Sequence, residues 1–171
     1  AVAAYCAYCR VMPDGSMAPP HNEPVVQHDP FATFANHCAV AIHAVLVERE
    51  AVQRAGGFDA ALRTCEDWDL WLRVARAGGA WVHVDAVLAF YRQRSDSLSG
   101  DTAQFLIDGM VVIRRGLQAD GAPGVERAQD VFPGHFALWC CAVDAGRGRR
   151  LEPTPLDLLQ RLSPQRDHQD A

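Results

Sequence analysis

Apolar residues crowd positions 1–12, where Ala, Val, Tyr and Cys follow one another with little polar interruption, and this predicts a buried strand. Pro13-Asp14-Gly15 supplies a turn. Positions 16–30 hold Pro19, Pro20, Pro24 and Pro30, which predicts an irregular loop or edge hairpin lying on the surface. A short helix is expected over 31–37 and a second buried strand over 39–47, where apolar and β-branched residues return. Glu50 to Ala55 reads as one or two helical turns stopped by Gly56-Gly57.

The clearest helical pattern covers 65–77. Trp68, Trp71, Leu72 and Ala75 fall on one face, and Asp69 and Arg73 are spaced to pair on the other side. Thr64 is the expected N-cap, with Asp67 completing a variant of the capping box, and Gly78-Gly79 ends the helix. Two short strands follow, Trp81 to Val84 and Val87 to Tyr91. After Gly100 only helical patterns remain. One spans 101–117 with a stripe of Phe105, Ile107, Val111, Val112 and Leu117, one spans 125–143 with a bend at Pro133-Gly134, and one spans 155–162. Strands mixed with helices and then helices alone predict an α/β unit over residues 1–100, a helical extension over 101–163 and a polar tail over 164–171.

Composition narrows the chemistry. The net charge of -5 argues against a broad nucleic-acid surface, and the one dense basic cluster, Arg147, Arg149 and Arg150, reads as a solvated loop. All 16 basic residues are Arg, so these 171 residues hold no phosphate-loop lysine, Schiff-base lysine or Ser-x-x-Lys nucleophile. No apolar run approaches the ~18 residues that span a bilayer. The six cysteines include Cys6-Ala7-Tyr8-Cys9, but no second such pair follows and Cys140-Cys141 are adjacent, so they read as small apolar filler in a reduced, cytoplasmic protein rather than as a metal or redox centre. His37 and His43 are six apart and do not form a helical zinc pair. Position 1 is Ala rather than Met, and the chain is expected to be part of a longer protein.

The candidate chemistry lies between Gly56 and Arg73. Glu66, Asp67 and Asp69 place three carboxylates within four residues at a helix start, where free N–H groups and the helix dipole offset part of their repulsion. An acidic first turn is a common structural feature in its own right. Two neighbours favour a site: the Gly56-Gly57 turn allows close backbone approach, and the two Trp residues offer an apolar wall that would raise a carboxyl pKa.

Gly56-Gly57-Phe58-Asp59, then Glu66-Asp67-Trp68-Asp69-Leu70-Trp71-Leu72-Arg73, then Tyr91-Arg92 with Ser97 and Ser99, resembles in order and spacing the family 2 inverting glycosyltransferases of GT-A fold. Val45 to Glu50 resembles the strand before the glycine turn of that family. The resemblance covers residues 1–100 and implies the C-terminal, acceptor-side half of a GT-A domain. It implies Asp67 as catalytic base, Glu66 orienting the acceptor, and substrate contacts from Gly56, Gly57, Phe58, Asp59, Arg92 and Arg94, with Trp68 either under a sugar ring or in the core. Arg94 stands where that family often carries a His near the metal, so a direct contact with the donor diphosphate is expected instead. Asp67-Trp68-Asp69 also spells the family's metal motif, but it opens a helix, whereas that motif ends a strand in the nucleotide-binding half. The resemblance therefore implies a divalent metal, Mg or Mn, held mainly by residues outside this chain, with no metal ligand here. It implies a nucleotide-sugar donor, a glycan or lipid-linked acceptor, no nucleic acid, and a cytoplasmic place with peripheral membrane association as a further expectation. The alternative is a non-catalytic binding module whose 101–117 stripe docks another domain or a membrane-associated partner.

Overall fold

The computed structural model describes residues 1–94, 101–118, 134–146 and 148. They form an α/β unit around a mixed sheet of three strands in the order β2–β1–β3. The middle strand β1 (Ala3–Val11) pairs antiparallel with β2 (Val45–Val47) and parallel with β3 (Trp81–Arg92). Ser97 and Ser99, the first part of the helix expected over 125–143, the 155–162 helix, the tail, and the Arg147, Arg149 and Arg150 cluster lie outside the described residues.

Two strand expectations change. Asp85-Ala86 interrupts the apolar pattern and reads as a break, yet β3 runs through it. Cys6 faces Val84 and Ala7 faces Val87, so Asp85 and Ala86 are absorbed as a bulge. The strand expected over 39–47 shrinks to Val45–Val47. Beyond Tyr5, the same side of β1 is bridged by the proline-rich loop through His21 opposite Tyr8 and Met17 opposite Val11. Residues 39–44 therefore find no free ladder. They bury Ala39, Val40, Ala41 and Ala44 all the same, with Ile42–Ala44 coiled as a short 3-10 helix.

The helices meet the sheet at Trp81, whose ring lies near Phe34 and Trp71. α1 (Pro30–Asn36) starts with Pro at its first position, and Asp29 caps it by accepting from the Ala32 N–H at 3.1 Å. α2 (Arg49–Arg54) ends at Gly56 and Gly57, whose φ angles of 85° and 72° favour glycine. α3 (Glu66–Arg76) buries Trp68, Leu70, Trp71, Leu72, Val74 and Ala75, and burial of each Leu or Val contributes about 1.5–3 kcal/mol. With Phe31 and Phe34 of α1 and Tyr5 and Trp81 of the sheet, these side chains form the main core.

α4 (Thr102–Gly116) joins that same core. Asp101 caps it by accepting from the Gln104 N–H at 3.1 Å. Its buried line is Leu106, Met110, Val112 and Ile113; of the expected stripe only Val112 is fully buried, and Ile107 is exposed. Gly109 lets the helix pass close to its neighbours, since a Cβ there would lie 2.3 Å from the Phe136 ring and 3.2 Å from Trp68. Phe136 belongs to α5 (Gly134–Gly146), and its ring meets Trp68 edge-on with centroids 5.3 Å apart.

Candidate active site

The acidic helix start is built differently from its sequence pattern. Thr64 is not the N-cap: its N–H and hydroxyl both donate to Asp108 Oδ2 of α4, at 2.8 and 2.9 Å. Cys65 takes the cap position with a left-handed backbone, φ 59°, the one positive-φ residue other than Gly among the described residues, and it contributes no side-chain cap. One of the first-turn N–H groups is instead met by Asp67, whose Oδ1 accepts from the Trp68 N–H at 2.8 Å.

Asp67 is the electrostatically distinctive group. Burial raises its carboxyl from 3.8 to about 6, the adjacent Glu66 carboxylate adds to the rise, and the Trp68 N–H opposes it. The neighbouring thiols share this environment: burial pushes Cys38 and Cys65 up, and the charge of Asp67 pushes both further. A carboxylate with a pKa near 6 is a stronger base than an exposed one, yet is still about nine-tenths ionised at pH 7.

Asp69 lies two residues on and so projects about 200° around the helix from Asp67. It is fully buried. Arg73 reaches its Oδ2 from Nε at 2.8 Å and Nη2 at 2.6 Å, and Arg115 of α4 reaches its Oδ1 at 2.6 Å. Arg115 also pairs with Asp59 at 2.7 Å, while Arg73 donates to the Ala55 carbonyl and, at 2.8 Å, to that of Gly57. Two guanidinium groups and two carboxylates thus tie the Gly56-Gly57 turn, α3 and α4 together. Burial opposes charge on Arg115, but the Asp69 and Asp59 carboxylates outweigh it and hold its pKa up. The Ala61 N–H, then Arg115, hold Asp59 down.

The expected site residues separate into groups. Glu66 and Asp67 stand together at the start of α3, both partly buried. The Gly57 carbonyl is joined to Arg73 and Asp59 to Arg115, the two arginines that hold Asp69, so these bonds run to the Asp69 face of the helix and not to Asp67, while the Gly56 N–H donates to the Gln53 carbonyl. Phe58 is 52% exposed. Trp68 belongs to the core: it has no exposed surface, its indole donates to the Phe34 carbonyl, and Phe136 lies against its ring, so no sugar can stack on it. Arg92 ends β3, Arg94 follows it, and both are exposed. The sequence reading missed Arg115 and Asp108. The signal for Arg115 was a cation in the last turn of α4, and for Asp108 a carboxylate set among apolar residues.

The Asp67-Trp68-Asp69 triplet does not chelate, because Asp69 gives both oxygens to guanidinium groups while Asp67 projects elsewhere. Among the described residues no three His, Cys, Asp or Glu side chains converge to hold a metal ion. No described helix is long and apolar enough to cross a membrane. No family model, no curated protein and no solved structure matches the chain.

Proposed function

We propose that this chain is the acceptor-side portion of an inverting glycosyltransferase resembling family 2, with Asp67 as its base. Asp67 takes the proton of an acceptor hydroxyl while that oxygen bonds to the anomeric carbon of the donor sugar. The bond from that carbon to the nucleoside diphosphate breaks on the opposite face, which inverts configuration. A sugar hydroxyl is too weak an acid to ionise beforehand, so proton removal accompanies attack, and a carboxylate raised to about 6 suits the task. Glu66 orients the acceptor. Arg92 and Arg94, exposed after the end of β3, are offered to the donor diphosphate.

The observation that carries this reading is a desolvated carboxylate at a helix start that forms no described ion pair, beside a second carboxylate held by two arginines. The fold has solved the repulsion at Asp69 and left it in place at Asp67. The donor nucleotide and its divalent metal belong, on this reading, to chain outside these 171 residues. The exposed Val82, Val84, Leu88 and Phe90 of β3, an edge strand among the described residues, favour further chain packing there.

The test is sugar transfer from a panel of nucleotide-sugars by the longest natural protein containing this segment. Asp67→Asn is expected to lower turnover about 10²–10⁴-fold with its melting transition retained. An Asp67→Asn protein that transfers sugar at the unmodified rate removes the assigned base.

A further inference from the structure

Asp108 is a buried carboxylate, and in the fold it has one evident target. Its Oδ2 accepts from the Arg63 N–H at 3.1 Å, the Thr64 N–H at 2.8 Å and the Thr64 hydroxyl at 2.9 Å. Its Oδ1 accepts from Gln104 Nε2 at 2.9 Å, one turn earlier on α4. Both oxygens are therefore engaged, and three of the four donors come from the two residues directly before Cys65.

Cys65 occupies a backbone region that a side-chain-bearing residue adopts at a cost of about 1–3 kcal/mol. The next two residues are Glu66 and Asp67. Fixing Arg63 and Thr64 from one side fixes the left-handed turn and with it the direction in which the first turn of α3 leaves. Asp108 lies 44 residues from Thr64 in sequence, so a long-range contact holds a locally unfavourable turn.

We propose that Asp108 is a positioning residue for the Glu66–Asp67 helix start: its carboxylate, delivered by α4, clamps the Arg63–Cys65 turn and so sets where the Asp67 carboxyl stands. This makes α4 part of the acceptor-side site, and its link to catalysis rests on the reading of Asp67 as base. The clamp acts through acceptor geometry. An Asn side chain can supply an oxygen to the same three donors and an amide to a reoriented Gln104, so Asp108→Asn should preserve what Asp108→Ala destroys.

The experiment uses the full 171-residue chain. Amide hydrogen exchange is followed at Arg63, Thr64 and Asp69, referenced to amides of β1, and the Asp67 carboxyl is titrated by carbon-detected NMR. Asp108→Ala is expected to speed exchange at Arg63 and Thr64 by about tenfold or more relative to β1, and to move the Asp67 titration toward its ordinary value. Asp108→Asn is expected to match the unmodified protein in both. Should Asp108→Ala not fold, Thr64→Val carries the test, with the same local rise in exchange expected. Unchanged relative exchange at the turn in Asp108→Ala, or in Thr64→Val where that variant stands in, overturns the proposal, as does an Asp108→Asn protein that behaves like Asp108→Ala. An unmodified protein whose Asp67 titrates near 3.8 instead overturns the base assignment and leaves the exchange result to decide the clamp.

Discussion

At the residue scale, Asp67 is held at the expense of stability. It binds its proton more tightly in the fold, at about 6, than in the unfolded chain, where it titrates near 3.8. Its contribution is therefore most favourable below pH 3.8 and declines as the pH rises toward 6, beyond which the loss is constant. The gap corresponds to roughly 3 kcal/mol. Asp67→Asn should accordingly gain about 1–3 kcal/mol of stability at pH 8 and nothing at pH 4, measured by denaturant unfolding. A loss at both pH values would mean that the carboxylate is stabilising. The same group should govern the rate: kcat/KM for transfer is expected to fall about tenfold per unit below about pH 6, whereas an ordinary carboxylate would sustain it to about pH 4.

At the element scale, the Arg73–Asp69–Arg115–Asp59 network fastens α3 and α4 to the glycine turn. Asp69 is fully buried between two guanidinium groups, so removing its charge leaves both without their main partner. Asp69→Asn is expected to cost about 3–5 kcal/mol in equilibrium unfolding. A loss under 1 kcal/mol would show that the pairing merely offsets its own desolvation. Gly109→Ala is expected to destabilise by about 1–3 kcal/mol, since the added methyl meets Phe136, and Phe136→Leu in the same chain should recover part of that loss. Additive effects of the two changes, measured in a double-mutant cycle, would contradict the contact.

At the scale of the whole molecule, α4 is no appendage. Leu106, Met110 and Ile113 sit in the core shared by α1, α3 and the sheet, and Arg115 and Asp108 reach the site from the same helix. Much of this was legible in the sequence where the cause was local. The acidic start of α3, its buried Trp face, the Asp69–Arg73 spacing and the Gly56-Gly57 stop all follow from helical periodicity and turn chemistry. Features set by distant partners were not. Thr64 looked like a cap because its carboxylate partner lies 44 residues away. Residues 39–44 looked like a strand because nothing local reveals that a loop already bridges that side of β1. The burial of Ile107 and Leu106 was exchanged because the apolar residues of α4 surround the helix, and only packing decides which line faces inward.

The role proposed for Asp67 requires a desolvated carboxylate with the proton affinity of a working base. The most direct measurement is an NMR titration of its side-chain carboxyl in the folded chain, assigned by comparison with Asp67→Asn. A midpoint of about 6 is the expected result, and a midpoint near 3.8, the value of a carboxyl open to water, would contradict it.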